Sequence, residues 1–280
     1  MNTLKHSPGN KPYLYSGVDE VCDYIELPFG EVFIYSKVSP GKSSPNEDSS
    51  GVLLTNNDKT GIFVVADGLG GAPLGYKASQ LVLLSLKKIL AQSNNDEERN
   101  DKRVEILDAI ELANKDIIDL KVGAGSTCAI VEFYDNSIRS YHVGDSSILV
   151  VGQRGKIKFQ SISHSPIGYA LESGHIDEEE ALHHEHLHIV SNSLGDDKMR
   201  IDVGPLIQLN QRDTVLIGSD GIFDNLFSEE IIGIIRKGSL KKSAKALITA
   251  VIARMENIEE GKPSKHDDAT FVLFRGNRHK

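Results

Sequence analysis

The sequence predicts a mixed α+β fold in which antiparallel sheets pack together under a cover of helices. Three observations predict it. Short runs rich in Val, Ile and Phe recur between turn signals, three longer segments carry the helical period, and the two kinds do not alternate along the chain. A regular strand-helix alternation would have favoured a doubly wound parallel sheet.

Residues 1–30 scatter apolar side chains among Gly, Pro, Ser and Asn, and read as a loosely structured N-terminal extension ahead of a domain over 31–280. Strands are expected at Glu31–Val38, Gly51–Thr55 and Gly61–Ala66. Leu74, Ala78, Leu81, Val82, Ser85, Leu86 and Ile89 then form the apolar face of one helix, and Ile106, Ala109, Ile110, Ala113 and Ile117 that of a second. Six further strands follow, at Thr127–Tyr134, Ile138–Val143, Ile148–Gly152, Lys156–Ser161, Val203–Leu209 and Thr214–Gly218. A third helix carries Leu240, Ala244, Leu247, Ile248, Val251 and Met255, and a last strand spans Ala269–Phe274.

With 280 residues, 39% hydrophobic and 25% charged, the chain has a globular composition and is long enough to hold a core without disulfides. Cys22 and Cys128 show no metal-ligand or redox spacing, so free thiols in a reducing, cytoplasmic compartment are expected. A formal charge of -9 disfavours nucleic acid and anionic membranes as partners. No apolar run approaches the roughly 20 residues of a membrane span.

The informative residues are acids at strand ends. Asp67 closes Ile62–Ala66 and opens Gly68-Leu-Gly-Gly71; Asp220 follows Val215–Ser219 and precedes Gly221. Asp145 ends Tyr141-His-Val-Gly-Asp145, Asp267 and Asp268 stand just before the last strand, and Asn46-Glu47-Asp48 lies between two others. One Asp-Gly alone is a turn signal. Several at strand ends point to a shared acidic pocket, whose repulsion must be cancelled by protonation or by cations. With neither His nor Cys at these positions, the all-oxygen set selects Mg²⁺ or Mn²⁺ over Zn²⁺. Two such ions would suit phosphate ester hydrolysis.

These pieces resemble, in order, the motifs of the metal-dependent protein serine/threonine phosphatases, the PPM or type 2C family, in its compact bacterial form. The resemblance runs through Asn46-Glu-Asp48, Val64–Gly71 with Ala78-Ser79, Gly125-Ser-Thr127, His142–Ser146, Ser163-His-Ser165, Ser193-Leu-Gly195, Gly218–Gly221 and Asp267-Asp-Ala-Thr270, and covers residues 30–275. It implies a four-layer sandwich, two packed antiparallel sheets flanked by helices. It implies two Mn²⁺ or Mg²⁺ ions bridged by Asp67, with Gly68 a ligand through its carbonyl, Asp220 and Asp267 completing one shell, and Glu47 and Asp48 serving the other. Asp145 with Asp220 matches the place of a third, weaker metal. The nucleophile would be a water activated by both cations, attacking phosphorus without a phosphoenzyme. Substrates would be phosphoserine and phosphothreonine proteins, placing the protein opposite a Ser/Thr kinase in signalling and, by expectation, as a monomer. Residues 164–202 fall where the family carries a flap, with Asp177 as a helix N-cap.

The chain departs from the family at four positions. Ser43 stands where an arginine grips phosphate, leaving Lys42 as the phosphate contact, a point charge without the guanidinium fork. Leu69 replaces the histidine that animal members offer as general acid, Ser147 replaces an Arg, and Ser163 replaces an Asp. The loss of the arginine motivates an alternative, a catalytically weak member that binds phosphoproteins or regulates. His183, His184, His186 and His188 read as an exposed polar stretch of the flap rather than a metal tract, and Gly68–Pro73 lacks the third glycine of a dinucleotide loop.

Overall fold

A computed structural model describes residues 12–55, 59–92 and 101–277. The first five strands are β1 (Tyr13–Ser16), β2 (Glu20–Leu27), β3 (Gly30–Lys37), β4 (Asp48–Thr55) and β5 (Thr60–Asp67), followed by helices α1 (Gly75–Gln92) and α2 (Arg103–Ile118). Strands β6 (Cys128–Tyr134), β7 (Ser137–Val143), β8 (Ser147–Val151) and β9 (Ile157–Gln160) lead to two short helices, α3 (Pro166–Glu172) and α4 (Glu178–Leu182). The chain continues through β10 (Asp202–Val203), β11 (Ile207–Gln208), β12 (Thr214–Gly218), α5 (Asp220–Phe223), α6 (Ser228–Ile235), α7 (Leu240–Glu256) and β13 (Ala269–Gly276).

The strands form two antiparallel sheets, ordered β1-β4-β5-β6-β7-β10 with β11 also on β7, and β2-β3-β13-β12-β8-β9. Their pattern follows from period-two alternation with both faces buried. In β5, Phe63 and Val65 face the other sheet, while Ile62 and Val64 pack on Val82, Leu86 and Ile110 of α1 and α2. In β13, Val272 and Phe274 enter the inter-sheet core, and Phe271 and Leu273 pack on Leu247 and Val251 of α7. A strand buried on both faces reads as an unbroken apolar run, which is why these were legible in sequence. The layers are helices, sheet, sheet, helices, the four-layer sandwich expected.

Three local expectations are corrected. Residues 13–16 and 20–27 are not loose: β1 pairs with β4 and β2 with β3 over its whole length. Acids hid β2, because Asp23 is buried and accepts a hydrogen bond from the Tyr15 hydroxyl at 2.6 Å. Residues 1–11 of the same segment lie outside those described. The strand expected at Val203–Leu209 is two short pieces split at Gly204 to Leu206. The helices α5 and α6 were not anticipated, since four and eight residues give too little periodicity.

Candidate active site

The acids converge because strand ends converge. Asp48 opens β4 and Asp67 closes β5, and the antiparallel register sets the two directly opposite each other. Like charges at that spacing repel, so this pairing costs stability unless a proton or cation intervenes. Asp220 follows β12 as the first residue of α5, and Asp267 stands two residues ahead of β13, the neighbour of β12. Glu47, Asp67, Asp145, Asp220, Asp267 and Asp268 line one cleft of about 180 Å³, together with Gly68, Leu69, Thr127, His188 and Lys265.

The surrounding motif residues hold these carboxylates. Asn46, fully buried, donates to Val18 O and Ser36 Oγ and accepts from Asp48 N at 2.9 Å. Thr127 Oγ1 accepts from Asp67 N at 2.9 Å and shares a 2.6 Å hydrogen bond with Ser146 Oγ, and Thr127 N donates to Asp67 O. Ser126 pairs with Gly68 on one side and Leu194 on the other, so the Gly125-Ser-Thr and Ser-Leu-Gly motifs are scaffold for the Asp67 turn. Ser219 Oγ donates to Asp48 Oδ2 at 2.8 Å.

Gly68 is obligatory for a reason the sequence did not show. A Cβ there would lie 2.2 Å from the carbonyl of Gly75 at the start of α1. The need is close backbone packing of turn against helix, rather than approach to an ion alone.

The buried carboxyls titrate high. Burial first, then the charges of Asp48, Asp220, Asp267 and Asp145, raises Asp67 well above the usual range. Burial, then Asp268, pushes Asp48 up to about 8; burial, then Asp220, pushes Asp145 to about 8, Asp224 to about 7 and Asp267 to about 6. Each shift comes first from burial and then from neighbouring carboxylates, both of which disfavour the charged form.

Two lysines supply part of it. Lys42 Nζ bonds Glu47 Oε2 at 2.8 Å and Asp268 Oδ2 at 2.7 Å; burial opposes its charge, but these partners win and push it up to about 12. Lys265 Nζ bonds Asp220, Asp224 at 3.0 Å and Asp267 at 3.0 Å. Sequence reasoning missed Lys265 and Asp224. Asp224 had a signal, its spacing of four from Asp220 on one helical turn; Lys265 had none, since its reach depends on how the loop before β13 docks.

Behind Asp145, the rings of His142 and His164 lie 4.6 Å apart. His164 accepts from Gly144 N at 3.1 Å and Asn192 Nδ2 at 2.7 Å, so its other nitrogen carries the proton toward Asp202 at 3.0 Å. Burial, then His164, lowers His142 to about 4. Both are neutral props for the loop that presents Asp145.

Of the four departures, Leu69 lines the acidic cleft and the three serines lie outside it. Ser43 is exposed, Ser147 Oγ donates to Asp145 O at 3.3 Å, and Ser163 shares a 3.0 Å hydrogen bond with Ser165, which caps α3. Asp177 caps α4 in a capping box with Glu180, as expected. The histidine stretch is exposed at His183, His186 and His188, as expected, and half-buried at His184; what the sequence did not show is that His188 also lines the acidic cleft. Cys22 and Cys128 are free, and no described helix is long and apolar enough to cross a membrane.

The residues present fit hard divalent cations. The donors are oxygens, and Asp48 Oδ1 and Asp220 Oδ1 are buried with no partner. Among the described residues no three acids or histidines are already drawn together as a ligand set; Lys265 stands among three of them.

A family description, Protein phosphatase 2C, matches residues 40–261. The chain is similar to Protein phosphatase PhpP of Streptococcus pneumoniae, 29% identical over 201 residues that cover 69% of this chain and 80% of that one. It shares its fold with the serine/threonine phosphatase Stp1 from Staphylococcus aureus, at TM-score 0.76 and 24% identity over 88% of this chain and 95% of the other. The fold recurs in the catalytic domain of the phosphatase PstP, solved in complex with 2 manganese ions, at TM-score 0.70 and 21% identity over 89% and 99% of the two chains. The matched segment, residues 40–261, spans most of the chain and takes in Glu47, Asp48, Asp67, Asp145 and Asp220 of the acid cluster, and the chain belongs to the protein phosphatase 2C family.

Proposed function

We propose that the protein hydrolyses phosphoserine and phosphothreonine in protein substrates, using two Mn²⁺ or Mg²⁺ ions held by Asp67, Gly68 O, Asp220 and Asp267 on one side and by Glu47 and Asp48 on the other. The observation that carries this reading is the pairing of Asp48 with Asp67 across the β4–β5 register, with Asp48 Oδ1 buried and unpartnered. The cations, when bound, lower the pKa of water and neutralise phosphate charge. Asp67, between the two halves, would serve both cations, and Thr127 fixes its backbone. Asp145 and Asp224 extend the acidic wall toward the place of a third cation. Lys42 uses two of its three N–H donors on Glu47 and Asp268, which leaves one for a phosphate oxygen. Leu69 has no proton to give, so water or a metal ligand would protonate the leaving alkoxide.

In this reading the phosphatase domain takes in β1 and β2 together with residues 31–277, and 164–202 form the flap; Glu178 ties the flap to the body by accepting from Ser228 N at 2.8 Å. A cytoplasmic monomer acting against a protein kinase completes the proposal.

Hydrolysis of p-nitrophenyl phosphate by wild type and Asp67→Asn, with Mn²⁺, Mg²⁺ or EDTA, tests it. Cation-dependent turnover that falls by about a thousandfold or more in the variant is expected, since several kcal/mol of charge stabilisation are lost. Absence of turnover in a folded wild type would favour a phosphoprotein-binding role instead.

A further inference from the structure

Lys265 is built into the acidic cleft. Its backbone N–H donates to Asn225 Oδ1 at 2.8 Å and its carbonyl accepts from Asn225 Nδ2 at 2.9 Å. Asn225 is itself fully buried, its amide also donates to Gly221 O, and its carbonyl accepts from Arg254. This clamp fixes the backbone of the loop, and the side chain reaches from it to Asp220, Asp224 and Asp267.

Two of those carboxylates, Asp220 and Asp267, are the ones assigned above to a divalent ion. Lys265 holds Asp220 Oδ2, and a divalent ion taking the unpartnered Oδ1 of the same carboxylate would lie close enough to the ammonium to repel it. The third, Asp224, lies outside that ligand set and is the natural place for the ammonium to go. Formal charge agrees: three carboxylates against one ammonium leave this half of the cleft short by two positive charges.

We infer that Lys265 is a tethered cation of the site: it competes with the divalent ion for Asp220 and Asp267, and metal loading moves it onto Asp224. The inference rests on the metal reading proposed above. It makes Lys265 a positioning residue with two effects, holding the acids together before loading and weakening the affinity of the loaded state.

The test is isothermal titration of Mn²⁺ into the metal-free full chain, with melting curves in EDTA and in saturating Mn²⁺, for wild type, Lys265→Gln and Lys265→Arg. Lys265→Gln should bind Mn²⁺ about tenfold or more tightly, because charge-assisted contacts no longer have to be broken. It should melt below wild type in EDTA, with the gap closing or reversing in Mn²⁺, and Lys265→Arg should stay near wild type in both. Unchanged Mn²⁺ affinity with equal destabilisation in EDTA and Mn²⁺ would overturn the inference and leave an ordinary salt bridge. No Mn²⁺ binding by either the wild type or Lys265→Gln would overturn the metal reading itself, and the inference with it.

Discussion

Lys42 illustrates how one side chain settles several charges at once. Asp268, almost fully buried, accepts from Ser39 N, Glu47 N and Lys42 Nζ, and so ties the loop before β4 to the start of β13. Removing Lys42 strands that buried carboxylate, which costs more than an exposed ion pair is worth. Lys42→Met should therefore lose about 2 kcal/mol of stability in urea unfolding of the metal-free chain. In metal-loaded enzyme it should also raise KM for p-nitrophenyl phosphate by about tenfold, the value of one charge-assisted hydrogen bond, with kcat changed less. An unchanged KM would show that the third N–H of Lys42 does not reach the phosphate. Lys42 was legible in sequence as a cation near the Glu47 motif; its carboxylate partners were not, because Asp268 is 226 residues away.

At the scale of elements, the β5–α1 turn carries the site. Asp67 ends the strand, Gly68 packs on Gly75, and Glu47 Oε1 would be 2.7 Å from a Cβ at Gly75, so strand end, helix start and the β4 entry are mutually wedged. Gly68→Ala should push α1 away from β5 at a cost of about 3 kcal/mol or more, comparable to the larger core substitutions. Thermal melting and phosphatase turnover together would check it, with activity lost even where the fold survives. Retained turnover would show that the turn yields without moving Asp67. The motif Asp-Gly-Leu-Gly-Gly was visible in sequence, and its turn was expected. Which glycine faces a neighbouring backbone depended on the packing of α1 against β5, which periodicity does not specify.

The whole molecule stores repulsion in one place. The described acids Asp48, Asp145, Asp224 and Asp267 titrate at about 8, 8, 7 and 6, above the value of 3.8 usual for an aspartate. Between the usual value and these, the folded chain holds more protons than the unfolded chain, so stability falls as pH rises through that window. His142 acts in the opposite sense but only in acid, because its folded value of about 4 lies below the ordinary 6.5. From pH 6.5 to 8 the acids act alone. The metal-free protein should lose on the order of 5 °C in melting temperature across that range, and saturating Mn²⁺ should abolish the loss. A melting temperature that is flat with pH in EDTA would show that the cleft is already neutralised by its lysines.

The sequence by itself determined the layers and most of the acids. Strands buried on both faces must be apolar throughout and amphipathic helices must keep their period, so β3, β5, β6, β13, α1, α2 and α7 could be read directly. Aspartates placed where such runs end, as Asp67 and Asp220 are, were equally plain. Tertiary structure decided the rest: the strands β1 and β2, whose buried Asp23 is satisfied by a tyrosine from the other sheet; the pairing of Asp48 with Asp67; the arrival of His188 at the cleft; and the clamp that sends Lys265 among three aspartates. Tyr15 and Asp23 are close in sequence but belong to different sheets, and the other contacts join residues far apart in the chain. Local periodicity and turn chemistry act over a few residues and set what a segment becomes, whereas a charge's partners are set only when the segments pack.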